Sequence, residues 1–141
     1  MVANLMFSRA AMSISTHHRA TSAHDLSEVV ATAGLIFIIF ALARGGRSTV
    51  TPAAVGAYIA SAYFFTSSTS FANPAIVIGR MFSNTFAGIA PASAPAFIAA
   101  EVVGGCVAIA LLRALYPDVT SAVASGVIVP HGVPSAQADG A

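Results

Sequence analysis

The chain has 141 residues, 57% hydrophobic and only 8% charged, with a mean hydropathy of +0.83, whereas an ordinary soluble domain carries about 25% charged residues. This is the composition of a membrane protein; a formal net charge of +1 with no Lys/Arg-rich patch excludes nucleic acid as a partner. The single cysteine, Cys106, can form neither an internal disulfide nor a thiolate metal cluster, and it reads as a small buried apolar side chain.

Met1 to Met12 is apolar but too short to cross a bilayer, and it lacks the basic flank and small-residue cleavage site of a signal peptide. It reads instead as the tail end of a span that begins outside this chain. Ser13 to Asp25 is polar, with Arg9 just before it and His17, His18, Arg19 and His24 within it. Residues 1–25 are therefore expected to form an N-terminal tail and extramembrane loop. The histidines match no known ligand spacing, so a solvated loop is expected and no metal.

Leu26 to Ala43 is the first strong hydrophobic segment, close to the ~20 residues that a crossing helix needs. Glu28 lies near its start, with Thr32 one turn on along the same face. A carboxyl in a span is costly and normally faces protein or water, where it finds a partner. Arg44-Gly-Gly-Arg47 forms a tight basic turn, cytoplasmic by the positive-inside rule. Pro52 opens a second span to Phe65, whose Gly56, Ala57, Ala60, Ser61 and Ala62 allow close helix approach.

After the polar run Thr66 to Ser70, Asn73-Pro74-Ala75 starts a short helix: Asn is a favoured N-cap, and Pro fits the first turn because its missing N–H would have no partner there. This helix, expected over residues 73–85, is far too short to cross. A third span runs from about Ala96 to Leu115, with Glu101 and Gly104-Gly105 inside it and Arg113 and Tyr116 as interfacial anchors. Pro117 to Ala141 reads as a flexible tail without chemistry.

The expected fold is thus an all-α membrane protein of three transmembrane helices plus one re-entrant half-helix, with the body of the protein at 26–116. Non-helical backbone at membrane depth is tolerated only where protein or a watery cavity surrounds it, which points to a pore. The N-terminus of a half-helix at the midplane presents roughly +0.5 of an elementary charge, which repels cations and protons and lets neutral solutes by. Asn73 adds amide donors, and the unwound backbone Thr66 to Ala72 adds carbonyl acceptors for water or a polyol hydroxyl.

These features resemble the aquaporin and glycerol-facilitator family, the major intrinsic proteins, over nearly all of Leu26 to Leu115. Besides Asn73-Pro74-Ala75, Gly79 falls where the family motif has its glycine. Glu28 and Thr32 are similar to the Glu-x-x-x-Thr whose carboxylate supports the re-entrant loop. Pro52 with Gly56 resembles the Pro-x-x-x-Gly that opens the fifth span, and Gly104-Gly105 resembles the glycines of the sixth.

Two departures shape what the resemblance implies. The family usually has arginine directly after Asn-Pro-Ala, and here Ile76 stands there, as in bacterial members associated with arsenic detoxification. A wider, less polar constriction follows, which makes glycerol, arsenite and related neutral acids plausible cargo beside water; Arg80 lies too far along the helix to be the expected substitute. Ser70 matches the loop member of the filter. The fifth-span member maps to Tyr63 counted from Pro52, the preferred register, or to Ser61 counted back from Asn73. Glu101 stands where a neutral acid would serve structurally.

The second departure is size: the family is built from two inverted repeats, and this sequence resembles the second alone. A monomer is not expected to conduct. The leading expectation is half of an inner-membrane, multi-pass channel that works with a complementary first repeat or an oppositely oriented copy in a homo-oligomer, in contact with the lipid bilayer. The alternative is a truncated, non-conducting remnant or a membrane interaction module. No catalytic constellation, phosphate loop or cofactor motif is present in the sequence, so an enzyme is not expected.

Overall fold

The structure is a computed structural model that describes residues 2–116. Every regular element among them is helical: α1 (Val2–Met6), α2 (Ser22–Arg44), α3 (Thr51–Phe65), α4 (Pro74–Arg80) and α5 (Ala94–Leu115), with single tight turns at Ser48–Val50 and Pro91–Ser93 leading into α3 and α5. The tail from Pro117 onward lies outside the described residues.

α2 begins earlier than the hydrophobic pattern suggests, because Thr21 caps it: its hydroxyl accepts the His24 N–H at 3.3 Å. Ser22 to Asp25 is therefore helix rather than loop, and Glu28 sits well inside the helix. α2, together with α5 and its leading turn, is long and apolar enough to cross a membrane. α3 is shorter, at 15 residues, and spans about 22 Å. The two long helices pack most extensively against each other, and α3 joins along α2.

Close approach of α2 and α5 depends on Gly104. A Cβ there would fall 2.6 Å from the Val29 carbonyl oxygen and 2.9 Å from the Thr32 Cβ, so only glycine fits. Around it α5 buries Phe97, Glu101, Gly104, Ala108 and Leu112, spaced by three and four residues along one face. Cys106 lies off that stripe and is exposed, which corrects the expectation of a buried thiol. At the far end, the Arg44 guanidinium stacks 4.8 Å from the Tyr116 ring centroid and joins the ends of α2 and α5.

The half-helix α4 stops at Arg80 instead of running on toward Thr85. Competing partners end it. The N-terminal segment takes the next carbonyls, Ser15 N–H donating to Met81 O at 2.9 Å and Ser13 N–H to Phe82 O at 3.2 Å. The following polar side chains bond across the same seam: Ser83 Oγ donates to Asn4 Oδ1, and Asn84 Oδ1 accepts from the Thr16 N–H. A small apolar core lies beneath α4, formed by Phe71, Val77, Ile89, Ala94 and Phe97. The Phe71 and Phe97 rings sit 5.7 Å apart, an aromatic pair of the favoured tilted kind.

Candidate functional site

The site is the segment that joins α3 to α4. α3 closes with Thr66, whose N–H and hydroxyl both donate to Ala62 O, at 3.0 and 2.7 Å. From there the backbone leaves regular structure: Thr69 (φ 70°), Ser70 (φ 48°) and Ala72 (φ 48°) all occupy the left-handed region, a conformation that side chains with a Cβ rarely adopt. Each such residue costs about 1–2 kcal/mol.

Two carboxylates offset this cost. Glu28, fully buried on α2, accepts the Phe71 N–H at 3.0 Å through one oxygen and the Ala72 N–H at 2.8 Å through the other. Glu101 on α5 accepts the Asn73 N–H at 2.8 Å. A hydrogen bond contributes about 0.5–1.5 kcal/mol net, and about 1.5–3 where its acceptor is charged, so the three together are of the same order as the strain of three left-handed residues. Consecutive N–H groups are held from behind. Ser68 O and Asn73 O are already engaged, whereas the carbonyls of Thr69 to Ala72 accept no hydrogen bond from the described residues. They supply a row of acceptors.

At the end of this row Asn73 caps α4, its Oδ1 accepting the Ala75 N–H at 2.9 Å, and Pro74 occupies the first helical position. The cap turns the side-chain oxygen inward to the helix and leaves the amide NH2 as donor. Asn73, Pro74, Ala75 and Ile76 are all exposed on the open face of the chain, and Ile76 shows 42% of its surface. That face combines a helix N-terminus with an aliphatic side chain and no charged group.

Of the other residues singled out from the sequence, Ser70 is buried and its hydroxyl lies 2.6 Å from that of Thr66. Tyr63, on the last turn of α3, is exposed, whereas the Ser61 hydroxyl turns back on its own helix to Ala57 O at 2.8 Å. Thr32 is buried against Gly104, and its hydroxyl finds no partner among the described residues. Gly79 has nothing within 4 Å of where a Cβ would stand.

Arg19 is the residue that the sequence did not disclose. In place of a solvated loop, Ser13 to Thr21 lays Arg19 into the interior, where its Nε donates to Gly88 O at 2.7 Å, its Nη1 to Ser68 O at 3.2 Å and its Nη2 to Phe86 O. Burial pushes its pKa below the ordinary arginine value, and the charge of Glu28 opposes that shift. The signal available was a lone arginine in a polar stretch; its partners lie dozens of residues away, and no local pattern encodes them.

No family model matches the sequence, and no solved structure matches the fold. The chain is 47% identical over 112 residues to Aquaglyceroporin AqpS of Rhizobium meliloti (strain 1021), a stretch that covers 79% of this chain and 48% of that protein. It thus spans about half the length of the curated relative it matches. With this identity extending through an all-helical chain that has two apolar membrane-length helices, the protein belongs to the aquaporin and glycerol-facilitator family of major intrinsic proteins.

Proposed function

We propose that this chain forms one half of a transmembrane channel for passive passage of small neutral solutes, with glycerol-like polyols and arsenite as cargo beside water. The observation that carries this reading is the segment Phe71–Asn73. Its three successive N–H groups are tied to Glu28 and Glu101, and its carbonyls lead to the positive end of α4. A neutral hydroxylated solute can accept from the Asn73 amide and donate to the carbonyl row. A cation meets the helix terminus and is repelled. Ile76 gives the path an aliphatic wall, which suits solutes less polar than water, and Ser70 and Tyr63 complete the pore-lining set.

In this reading residues 26–116 are a second repeat whose α4 is re-entrant and whose exposed Asn73–Ile76 face meets the matching half-helix of a complementary first repeat. That repeat is a separate polypeptide or an oppositely inserted copy of this chain, assembled in the inner membrane with several spans per chain. Gly79, open here, becomes a contact point for the facing half.

The test is co-expression with a first-repeat half, reconstitution in proteoliposomes, and stopped-flow swelling in glycerol and water gradients alongside arsenite uptake. Permeability above that of the Asn73→Asp variant is expected. Uptake equal to that control in every gradient sinks the channel reading and leaves a non-conducting membrane module.

A further inference from the structure

The channel reading uses the carboxylates behind the loop and the helix in front of it, but leaves one buried charge without a task. Arg19 is only 9% exposed. Its side-chain acceptors are the carbonyls of Gly88, Ser68 and Phe86, and its own N–H donates to Ser93 Oγ at 3.0 Å. All of these partners are neutral, so among the described residues the charge is oriented by hydrogen bonds to carbonyls, with Glu28 acting on it electrostatically but not bonded to it. Taking a cation out of water is costly, and neutral amide side chains can stitch two loops together without that cost.

Geometry also links this charge to the constriction. The Ser68 carbonyl ties the guanidinium to the start of the left-handed segment, and Ser68 Oγ in turn accepts the Ser70 N–H at 3.2 Å. The Phe71 ring centroid lies 5.8 Å from Arg19 Cζ. Glu28 and, more weakly, Tyr63 on the last turn of α3 favour the charged guanidinium, and Arg80 opposes it. An arginine has five N–H donors in a fixed fork, and the three carbonyls engage one donor on each nitrogen. Two donors remain without a partner from the described residues.

We propose that Arg19 is the fixed cation of the solute path: held by Gly88, Ser68 and Phe86, it rejects cations beside Ser70 and Tyr63 and offers its two remaining N–H groups to the hydroxyls of neutral solutes. Ile76 brings no charge to this region and Arg80 stands at the opposite end of α4 from Asn73, so the task falls to a residue from the segment preceding α2. This assignment rests on the channel reading, and it specifies which group sets charge selectivity.

The experiment compares wild type, Arg19→Gln and Arg19→Lys, each as the full chain reconstituted with a first-repeat half, for sodium leak and glycerol uptake. Arg19→Gln is expected to raise sodium leak about tenfold, the lower end of what a focused charge does to local ion concentration, while glycerol still passes. Arg19→Lys, which keeps the charge but not the fork, is expected to leak no more than wild type. Equal leak in both variants, or none in Arg19→Gln, overturns the proposal, since a loosened loop would not distinguish charge. A second measurement does not depend on conduction. Side-chain 15N resonances of wild-type Arg19 in lipid nanodiscs are titrated with glycerol, with exposed Arg113 as reference. Selective movement of the Arg19 Nη signals is expected. Their standing still overturns the proposal even where swelling is seen; their movement beside silent liposomes upholds the solute contact and rejects the channel reading instead.

Discussion

Glu28 and Glu101 divide one short piece of backbone between them: Glu28 holds the N–H groups of Phe71 and Ala72, and Glu101 holds that of Asn73. The two carboxyls come from different helices, α2 and α5, and meet behind a segment that no helix or sheet supports. Their replacement therefore tests the site directly.

Glu28→Gln retains one oxygen but turns an amide NH2 toward a second N–H. One buried donor is left unmet, at a cost of about 1–3 kcal/mol. The unfolding midpoint in detergent micelles is expected to fall accordingly, and solute uptake to fall with it. An unchanged midpoint would mean that the two bonds at 3.0 and 2.8 Å contribute nothing net.

Glu101 allows a milder exchange. Only one of its oxygens is used, and the other is buried without a partner. Glu101→Gln keeps the acceptor for the Asn73 N–H and is expected to be as stable as wild type. Glu101→Leu leaves that N–H bare and costs about 1–3 kcal/mol. Thermal unfolding of the two variants side by side decides whether the site needs an acceptor or a charge.

The glycines separate in the same way. Gly104→Val drives a side chain into the Val29 backbone, 2.6 Å from its oxygen at Cβ alone, and overpacking of this kind costs about 1–3 kcal/mol. Gly79→Ala meets nothing within 4 Å and gains the helix propensity of alanine, about 0.5–1 kcal/mol. Unfolding of the isolated chain should therefore show opposite signs, while assembly with a complementary half, followed by size-exclusion chromatography, should suffer in Gly79→Ala.

Asn73 caps α4, and the channel proposed above also gives it a pore-facing role; substitution can pull the two apart. Asn73→Ala removes the acceptor for the Ala75 N–H and costs about 1 kcal/mol of helix stability. Asn73→Asp keeps the acceptor but puts a negative charge at the helix N-terminus. Stability is expected to hold while neutral-solute flux falls and cation leak rises, measured on the same liposomes.

What could be read in advance followed the range of the forces involved. The start of α4 was legible because Asn73 and Pro74 act within one turn, and Glu28 was legible because a carboxyl in an apolar stretch demands a partner. The end of α4 was not, since it is set by Ser13 and Ser15 bonding to Met81 and Phe82 from the other end of the sequence. Arg19 escaped for the same reason: polar surroundings in the sequence mark a residue as solvated, and only the tertiary fold brings three carbonyls to it. Cys106 was misplaced because composition carries no information about which side of α5 faces α2.

The clamp on Phe71–Asn73 also dictates an order of assembly. Before α2 and α5 have docked, no pair of carboxyls faces the segment, and its left-handed residues have only the local bonds of Ser70 to Ser68 and Thr66 to hold them there. The segment Phe71–Asn73 can thus take its shape only after the helix pair around Gly104 has closed. A lesion at that distant glycine contact would be felt at Phe71–Asn73 as an immature loop, even in a chain whose helices are all present.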